Sequence, residues 1–139
     1  HKFIGVPIPC GIFITRNNLA KKTEIHIEYL DTLDNTVMGS RSGLSAIFLW
    51  YAIQERGHTE FRKEANECIT NAKYLHQKLQ DINYPSWLND FSNIVYFKKP
   101  SEKIIQEWQL AKNGDLAHVV TMQHATTEKL DLFVESLKQ

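Results

Sequence analysis

The first two residues of the chain, His1 and Lys2, include the side chain best suited to covalent chemistry. A lysine amine attacks a carbonyl carbon only when neutral, and removal from water lowers its pKa toward that form. The apolar Phe3 and Ile4 follow Lys2, and a rigid proline- and glycine-containing turn comes next, which would hold and partly bury the amine. The pattern is compatible with a Schiff-base lysine. The alternative is a solvated surface lysine, the common situation for this residue type.

A second candidate is the small-residue segment Gly39-Ser40-Arg41-Ser42-Gly43, which precedes a long helical pattern. Small residues let a ligand approach the backbone, and the N-terminus of a helix offers free N–H groups to an anion. Ser40 adds a hydroxyl group, and the Arg41 guanidinium matches phosphate or carboxylate geometry. The alternative is a helix N-cap beside a surface arginine.

The six histidines and two cysteines do not predict a metal site or a disulfide framework. His118 and His124 lack acidic or cysteine neighbours at ligand spacing, so we expect satisfied structural histidines, and His26, His58 and His76 are expected at the surface. Cys68 lies on an apolar stripe and is expected in the core. The three tryptophans are expected to be packing residues; they are Trp50, Trp87 and Trp108.

The bulk composition indicates one ordinary globular chain: 139 residues, 42% of them hydrophobic, with 16 basic and 16 acidic residues. The charge balance argues against a nucleic-acid partner or an anionic membrane surface. No apolar run is long enough for a membrane span, and nothing resembles a signal peptide, so a cytoplasmic location is expected. Because the chain begins with His rather than Met, we expect it to be part of a longer protein.

The first part of the chain predicts few regular elements before residue 44. Apolar residues at 12–15 predict a short buried strand, and polar residues at 31–36 predict a loop. From Leu44 to Gly57 the pattern is helical with apolar residues on both faces, which is typical of a helix in an interface. A second helix is predicted from Thr59 to Ile82. Its amphipathic stripe consists of Phe61, Ala65, Cys68, Ala72, Leu75, Leu79 and Ile82.

The part that follows Pro85 predicts an α+β unit with a small antiparallel sheet. Strands are predicted at 93–98 and 116–122, with a turn at 113–115 between them. Ser101 is expected to cap a helix that carries Ile104, Ile105 and Trp108. A last helix, capped by Thr126 or Thr127, is expected to bury Leu130, Phe133, Val134 and Leu137.

Four blocks of this chain resemble the group II pyridoxal-phosphate-dependent amino-acid decarboxylases. The first, HKFIGVPIPCG at positions 1–11, resembles their cofactor-lysine segment, with a His-Lys pair and a Pro-x-Pro-Cys-Gly turn. The second combines positions 39–43 with FLWYA at 48–52. The third and fourth, WQLA at 108–111 and GDLAHVV at 114–120, resemble the family's C-terminal domain. The blocks run in the family's order over nearly the whole chain, and within the family the chain looks closest to the bacterial histidine and plant serine decarboxylases.

The resemblance implies an α/β protein of fold-type I, with residues 1–57 as the end of the large cofactor domain and an interface helix, and residues 58–139 as the small C-terminal α+β domain. It implies a homodimer that shares its site between subunits, with pyridoxal 5′-phosphate as cofactor. Lys2 would bind the cofactor covalently, His1 would contact its phosphate, and Ser40 would reach the phosphate of the neighbouring subunit's cofactor. Arg41 would help to shape that loop.

The implied reaction is decarboxylation of an amino acid, with L-histidine giving histamine and carbon dioxide. Serine or another amino acid remains open as substrate, as does an aminotransferase of the same fold. A non-catalytic α+β interaction domain, with Lys2 at the surface, is the alternative from another class. The partners of the cofactor ring would lie before His1, so the isolated chain is expected to be inactive.

Overall fold

The computed structural model describes residues 3–12, 14–16, 25–28, 32–34 and 42–138, and the chain divides into two units at residues 57 and 58. In the first unit, β1 (Ile25–Ile27) and β2 (Thr32–Asp34) pair antiparallel, with Ile25 opposite Asp34. The loop predicted at 31–36 therefore contains a strand. The polar composition of residues 32–34 gave no signal for a strand, because the strand forms through backbone hydrogen bonds to its partner strand.

The buried strand predicted at 12–15 is wrong for the residues that the structure describes. Residues 12, 14 and 15 form no strand, and Ile12 and Ile14 are 54% and 87% exposed. An apolar run indicates a strand only if a neighbouring strand satisfies its backbone groups. No strand pairing involves this stretch among the described residues.

The longest element, α1 (Gly43–Asp81), is interrupted at Gly57, where φ is 61° and ψ is −176°. The predicted end of the first helix at Gly57 is confirmed, because this backbone conformation is almost confined to glycine. The part before Gly57 exposes five large apolar side chains, so its place in an interface stays a prediction: Leu44, Ile47, Trp50, Tyr51 and Ile53. Trp50 is 62% exposed, so its predicted packing role is wrong within this structure.

The second unit, residues 58–139, begins with the remainder of α1. Four residues of the predicted stripe, Cys68, Ala72, Leu75 and Leu79, are buried. They recur every three or four residues, which places them on one side of the helix. The amphipathic prediction is confirmed, including the core position of Cys68.

This helix side packs on a four-stranded antiparallel sheet. The strands are β3 (Ser86–Leu88), β4 (Ile94–Lys98), β5 (Ala111–Asn113) and β6 (Leu116–Val120), in the order β3-β4-β6-β5. Val95, Phe97 and Ala117 are buried on the inner face. On the other face, Trp87 lies opposite Tyr96, and Tyr96 lies opposite His118. Trp87 is 54% exposed, so it is not the packing residue that we expected.

Two short helices complete this unit: α2 (Glu102–Trp108) and α3 (Thr127–Ser136). Ser101 precedes α2 but makes no side-chain capping bond, whereas Thr126 accepts a hydrogen bond from the Lys129 backbone N–H. Leu130, Phe133 and Val134 are buried, as predicted. Among the residues described, no helix is long and apolar enough to cross a lipid bilayer.

The Trp108 indole packs edge-on against the Phe133 ring, with 5.3 Å between the ring centroids. Its packing role is confirmed. Its Nε1–H, however, is buried and has no hydrogen-bond acceptor. A buried donor left unpaired costs about 1–3 kcal/mol, so this group calls for an explanation.

Candidate active site

The backbone turn that follows Lys2 is the part of the predicted cofactor segment that the structure describes. Gly5 has a φ of 74°, and a Cβ atom at this position would lie 3.1 Å from Nη2 of Arg56. A side chain would thus be strained by the backbone and crowded by the guanidinium. Val6 is buried beside this turn. These constraints fix the path of the chain immediately after position 2.

The segment after this turn faces the start of α1 across a cavity of about 610 Å³. One wall is formed by residues 8–12, and the other by residues of 42–49. The volume lies within the range of roughly 300–1,000 Å³ that is typical of small-molecule sites. At Gly11 and Gly43 a Cβ atom would meet nothing within 4 Å, so the backbone there borders open space. The cavity therefore lies between the two segments that the sequence singled out.

The residues predicted to hold the cofactor, Lys2, His1 and Ser40, lie outside the described residues, and so does Arg41. Their roles stay predictions. Cys10, which the sequence gave only as part of a motif, lines the cavity beside Pro9 and Gly11. The position of Cys10 in the proline-containing turn is the sequence signal that could have identified it as a residue of this cavity.

The histidines described by the structure do not assemble a metal site. Within those residues, no group of three or more His, Cys, Asp and Glu side chains could hold a metal ion. The His118 ring lies against the Tyr96 ring, with 5.3 Å between centroids, in agreement with a structural role. His26 and His58 are exposed, as expected.

His76 is not the plain surface residue that we expected. It is half-buried, and its Nδ1 lies 3.1 Å from Oγ of the buried Ser86. Gln80 Nε2 donates to the same Oγ at 3.0 Å, and the direction of the bond between Ser86 and His76 depends on the tautomer of the imidazole ring. Sequence reasoning missed this cluster because it joins α1 to β3, a strand that was not predicted.

Comparison with known proteins places the chain among decarboxylases. It is 42% identical over 140 aligned positions to serine decarboxylase 1 of Oryza sativa subsp. japonica, covering 100% of this chain and 29% of that protein. It is 41% identical over 140 positions to the histidine decarboxylase of Solanum lycopersicum, covering 100% of this chain and 34% of that protein. For the histidine decarboxylase of Vibrio anguillarum the identity is 36% over 138 positions, with 99% and 36% covered. The chain matches no protein-family model.

A solved structure shares the fold over almost the whole chain. The L-methionine decarboxylase from Streptomyces sp. 590, a variant in complex with L-methionine methyl ester, aligns with a TM-score of 0.77 and 26% identity, covering 99% of this chain and 30% of that one. The architecture is thus that of a pyridoxal-phosphate-dependent decarboxylase, and the expected fold class is confirmed.

The relatives that match this chain over its whole length are serine and histidine decarboxylases, which are group II pyridoxal-phosphate-dependent amino-acid decarboxylases. The chain corresponds to the C-terminal portion of these relatives and spans only 29% to 36% of their length.

Proposed function

We propose that a polypeptide containing this chain is a pyridoxal-phosphate-dependent amino-acid decarboxylase, with L-histidine as its substrate. The observation that carries the proposal is the similarity of almost the whole of this chain to part of named decarboxylases, at 36% to 42% identity for the three described above. The cofactor-lysine block at positions 1–11 and the cavity beside it support the same activity.

Three residues of this chain would hold the cofactor. Lys2 would bind it covalently through its amine, and His1 would contact its phosphate. Ser40 would reach the phosphate of the cofactor in the neighbouring subunit. When bound, the cofactor supplies a ring that accepts the electron pair left by the departing carboxylate.

The described residues support these roles because they constrain the backbone close to Lys2 and close to Ser40. The Gly5 turn packs against Arg56 and constrains the chain three residues after Lys2. The N-terminus of α1 begins at Gly43, three residues after Ser40, and the positive end of the helix dipole favours an anion nearby. The Lys2 amine would be displaced by the substrate amine and would then be available to carry a proton.

Residues 1–57 would form the end of the large cofactor domain, and residues 58–139 the small C-terminal domain. The division of the chain at residues 57 and 58 supports these boundaries. A homodimer with a site shared between subunits is part of the proposal. The exposed apolar side chains of the first part of α1, Trp50 and Ile47 among them, support a helix that another surface covers.

The proposal predicts a covalent label on one lysine. A polypeptide containing this chain is incubated with pyridoxal phosphate and reduced with borohydride, and its peptides are analysed by mass spectrometry. We expect a visible absorption band before reduction and the label on Lys2. Lys2→Ala should remove both, whereas Lys73→Ala, an exposed control on α1, should retain both. A label that stays in the Lys2→Ala variant, or no label at all, would contradict the proposal.

Substrate choice is tested with L-histidine and L-serine at equal concentration. Histamine and carbon dioxide are expected from histidine at the higher kcat/KM. A higher kcat/KM for serine, with ethanolamine as product, would keep the family and change the substrate, and the serine decarboxylases among the relatives make this the second candidate. A keto acid in place of carbon dioxide would indicate an aminotransferase. The 139-residue chain alone should release no carbon dioxide above background.

A further inference from the structure

Arg56 carries a charge that takes no part in the proposed reaction, although its side chain lies against the turn that follows Lys2. A Cβ atom at Gly5 would be 3.1 Å from Nη2 of Arg56, so the guanidinium lies beside the backbone at a residue that has no side chain of its own. The two residues are far apart in the sequence. Their contact joins the predicted cofactor segment to the first part of α1.

Residues 5–12 run beside the first part of α1 in the opposite direction. Gly5 lies at Arg56, in the last turn of this helical part, whereas residues 8–12 border the cavity whose other wall is formed by residues of 42–49. The helical part is about 20 Å long at 1.5 Å per residue. Eight extended residues reach a similar distance, roughly 25 Å. The helix therefore accompanies the segment over its whole length, with Arg56 at the end nearer to Lys2 in sequence.

The position of Arg56 is fixed from the helix side. The residue is half-buried and directly precedes Gly57, where α1 is interrupted. The carbonyl end of a helical part carries a partial negative charge, which favours a cation. A guanidinium presents its N–H donors in one plane and stays charged throughout the ordinary pH range. It can therefore hold a peptide backbone without titrating.

The turn at Gly5 is close enough to Lys2 for its position to matter. Three residues separate them, so chain geometry limits the distance between their Cα atoms to about 11 Å. A shift of the turn would move the point at which the Lys2 side chain is attached. We propose that Arg56 is a positioning residue for Lys2: its guanidinium holds the backbone at Gly5 and thereby keeps the amine where the cofactor binds. This role rests on the proposed function, because it assumes that Lys2 binds the cofactor.

Cofactor affinity is the first measurement. A longer polypeptide that contains this chain is titrated with pyridoxal phosphate, and the absorption band of the bound cofactor is followed. Arg56→Gln should raise the Kd by at least about threefold, as expected for the loss of one polar contact. Arg56→Lys keeps the charge but lacks the planar fork, so its Kd should rise as well, and it serves if the Gln variant does not fold. Arg62→Gln, a change of an exposed arginine on the same helix, should leave the Kd unchanged.

Hydrogen exchange without cofactor measures the contact between Arg56 and the turn directly. In Arg56→Gln, the amides of residues 3–9 should exchange at least about threefold faster than in the unmodified protein. The amides of residues 68–79, in the buried stripe of α1, should exchange at an unchanged rate. A general loss of stability would accelerate exchange in both ranges, so this comparison separates positioning from a merely structural role.

A double-variant cycle links the two residues. Gly5→Ala strains the backbone at a φ of 74° and also crowds the guanidinium. Because Gln is shorter than Arg, the crowding is relieved in Arg56→Gln, and only the backbone strain remains. Gly5→Ala should therefore raise the Kd by a smaller factor in the Arg56→Gln variant than in the unmodified protein.

Two results would overturn the role of Arg56. One is a folded Arg56→Gln variant with an unchanged Kd and unchanged exchange at residues 3–9. The other is a cycle in which the effects of the Gly5 and Arg56 changes simply multiply. If the unmodified polypeptide shows no absorption band, it is the proposed function that fails. The exchange measurement needs no cofactor and then decides by itself whether Arg56 holds the turn.

Discussion

The hydroxyl group of Tyr74 on α1 donates a 2.7 Å hydrogen bond to Oδ1 of Asp131 on α3. Lys78 Nζ lies 3.3 Å from the same oxygen and 5.2 Å from the centroid of the Tyr74 ring. The Tyr74 hydrogen bond, followed by the Lys78 charge, lowers the pKa of Asp131 below its ordinary value. The ionised carboxylate therefore links the two helices that cover the sheet.

Replacing Tyr74 with Phe should lower the stability of the chain in a pH-dependent way. Because the pKa of Asp131 is depressed in the folded state, its contribution is present above its unfolded pKa of about 4 and is lost as the pH falls through the folded pKa. Urea denaturation should show a lower midpoint for Tyr74→Phe at pH 7, and the difference should shrink below about pH 4. Tyr96→Phe, which removes a hydroxyl group with no hydrogen bond among the described residues, is the control. An equal loss at both pH values would contradict the role of Asp131.

The buried Thr121 hydroxyl connects the sheet to α1. Thr121 Oγ1 donates to the Cys68 carbonyl oxygen at 2.7 Å and lies 3.1 Å from the Asn93 carbonyl oxygen. Thr121→Val keeps the shape and removes this donor, so the free energy of unfolding should fall by about 1–2 kcal/mol in urea denaturation. Thr121→Ser, which keeps the hydroxyl group, should retain the hydrogen bond and lose only the packing of one methyl group. If Ser proves more costly than Val, methyl packing outweighs the hydrogen bond.

Local signals made much of the second unit predictable. The helix stripe through Cys68 and Leu75, the strand predicted at residues 93–98 and the cap at Thr126 each depend on neighbours within a few residues, and the structure confirms them. The strands Ser86–Leu88 and Ala111–Asn113 were missed, because three residues carry no periodicity and these strands exist through pairing with β4 and β6.

The candidate site was predictable only through the resemblance. Lys2 and Ser40 have weak signals as isolated residues. They became candidates for cofactor binding only because their blocks precede the later blocks in the same order as in the decarboxylases. The unpaired Trp108 N–H could not be seen in the sequence. Periodicity placed the indole against the core, but whether a donor finds an acceptor depends on side-chain directions set by the packing of α2 against α3.

The two cysteines should differ in their reactivity toward iodoacetamide. Cys68 is almost fully buried, and its burial, followed by Glu64 and Glu67, raises the pKa of its thiol, which lowers the fraction of reactive thiolate at any pH near neutral. Cys10 is partly exposed. Mass spectrometry should find Cys10 modified in the native chain and Cys68 modified only in denaturant. Rapid native labelling of a Cys10→Ser variant would mean that the core around Cys68 opens readily.

Gly57 interrupts α1 with a φ of 61° and a ψ of −176°, a conformation that other residues adopt at a cost of about 1–3 kcal/mol. A Cβ atom at this position would meet nothing within 4 Å, so the penalty of Gly57→Ala comes from the backbone and not from a clash. We expect a lower urea midpoint for this variant. Gly43→Ala also adds a methyl group in open space, but at a residue without positive φ, and should change the midpoint little. If Gly57→Ala raises the midpoint instead, alanine has joined the two halves of α1 into a regular helix, and the interruption at Gly57 is then not required by the packing of the chain.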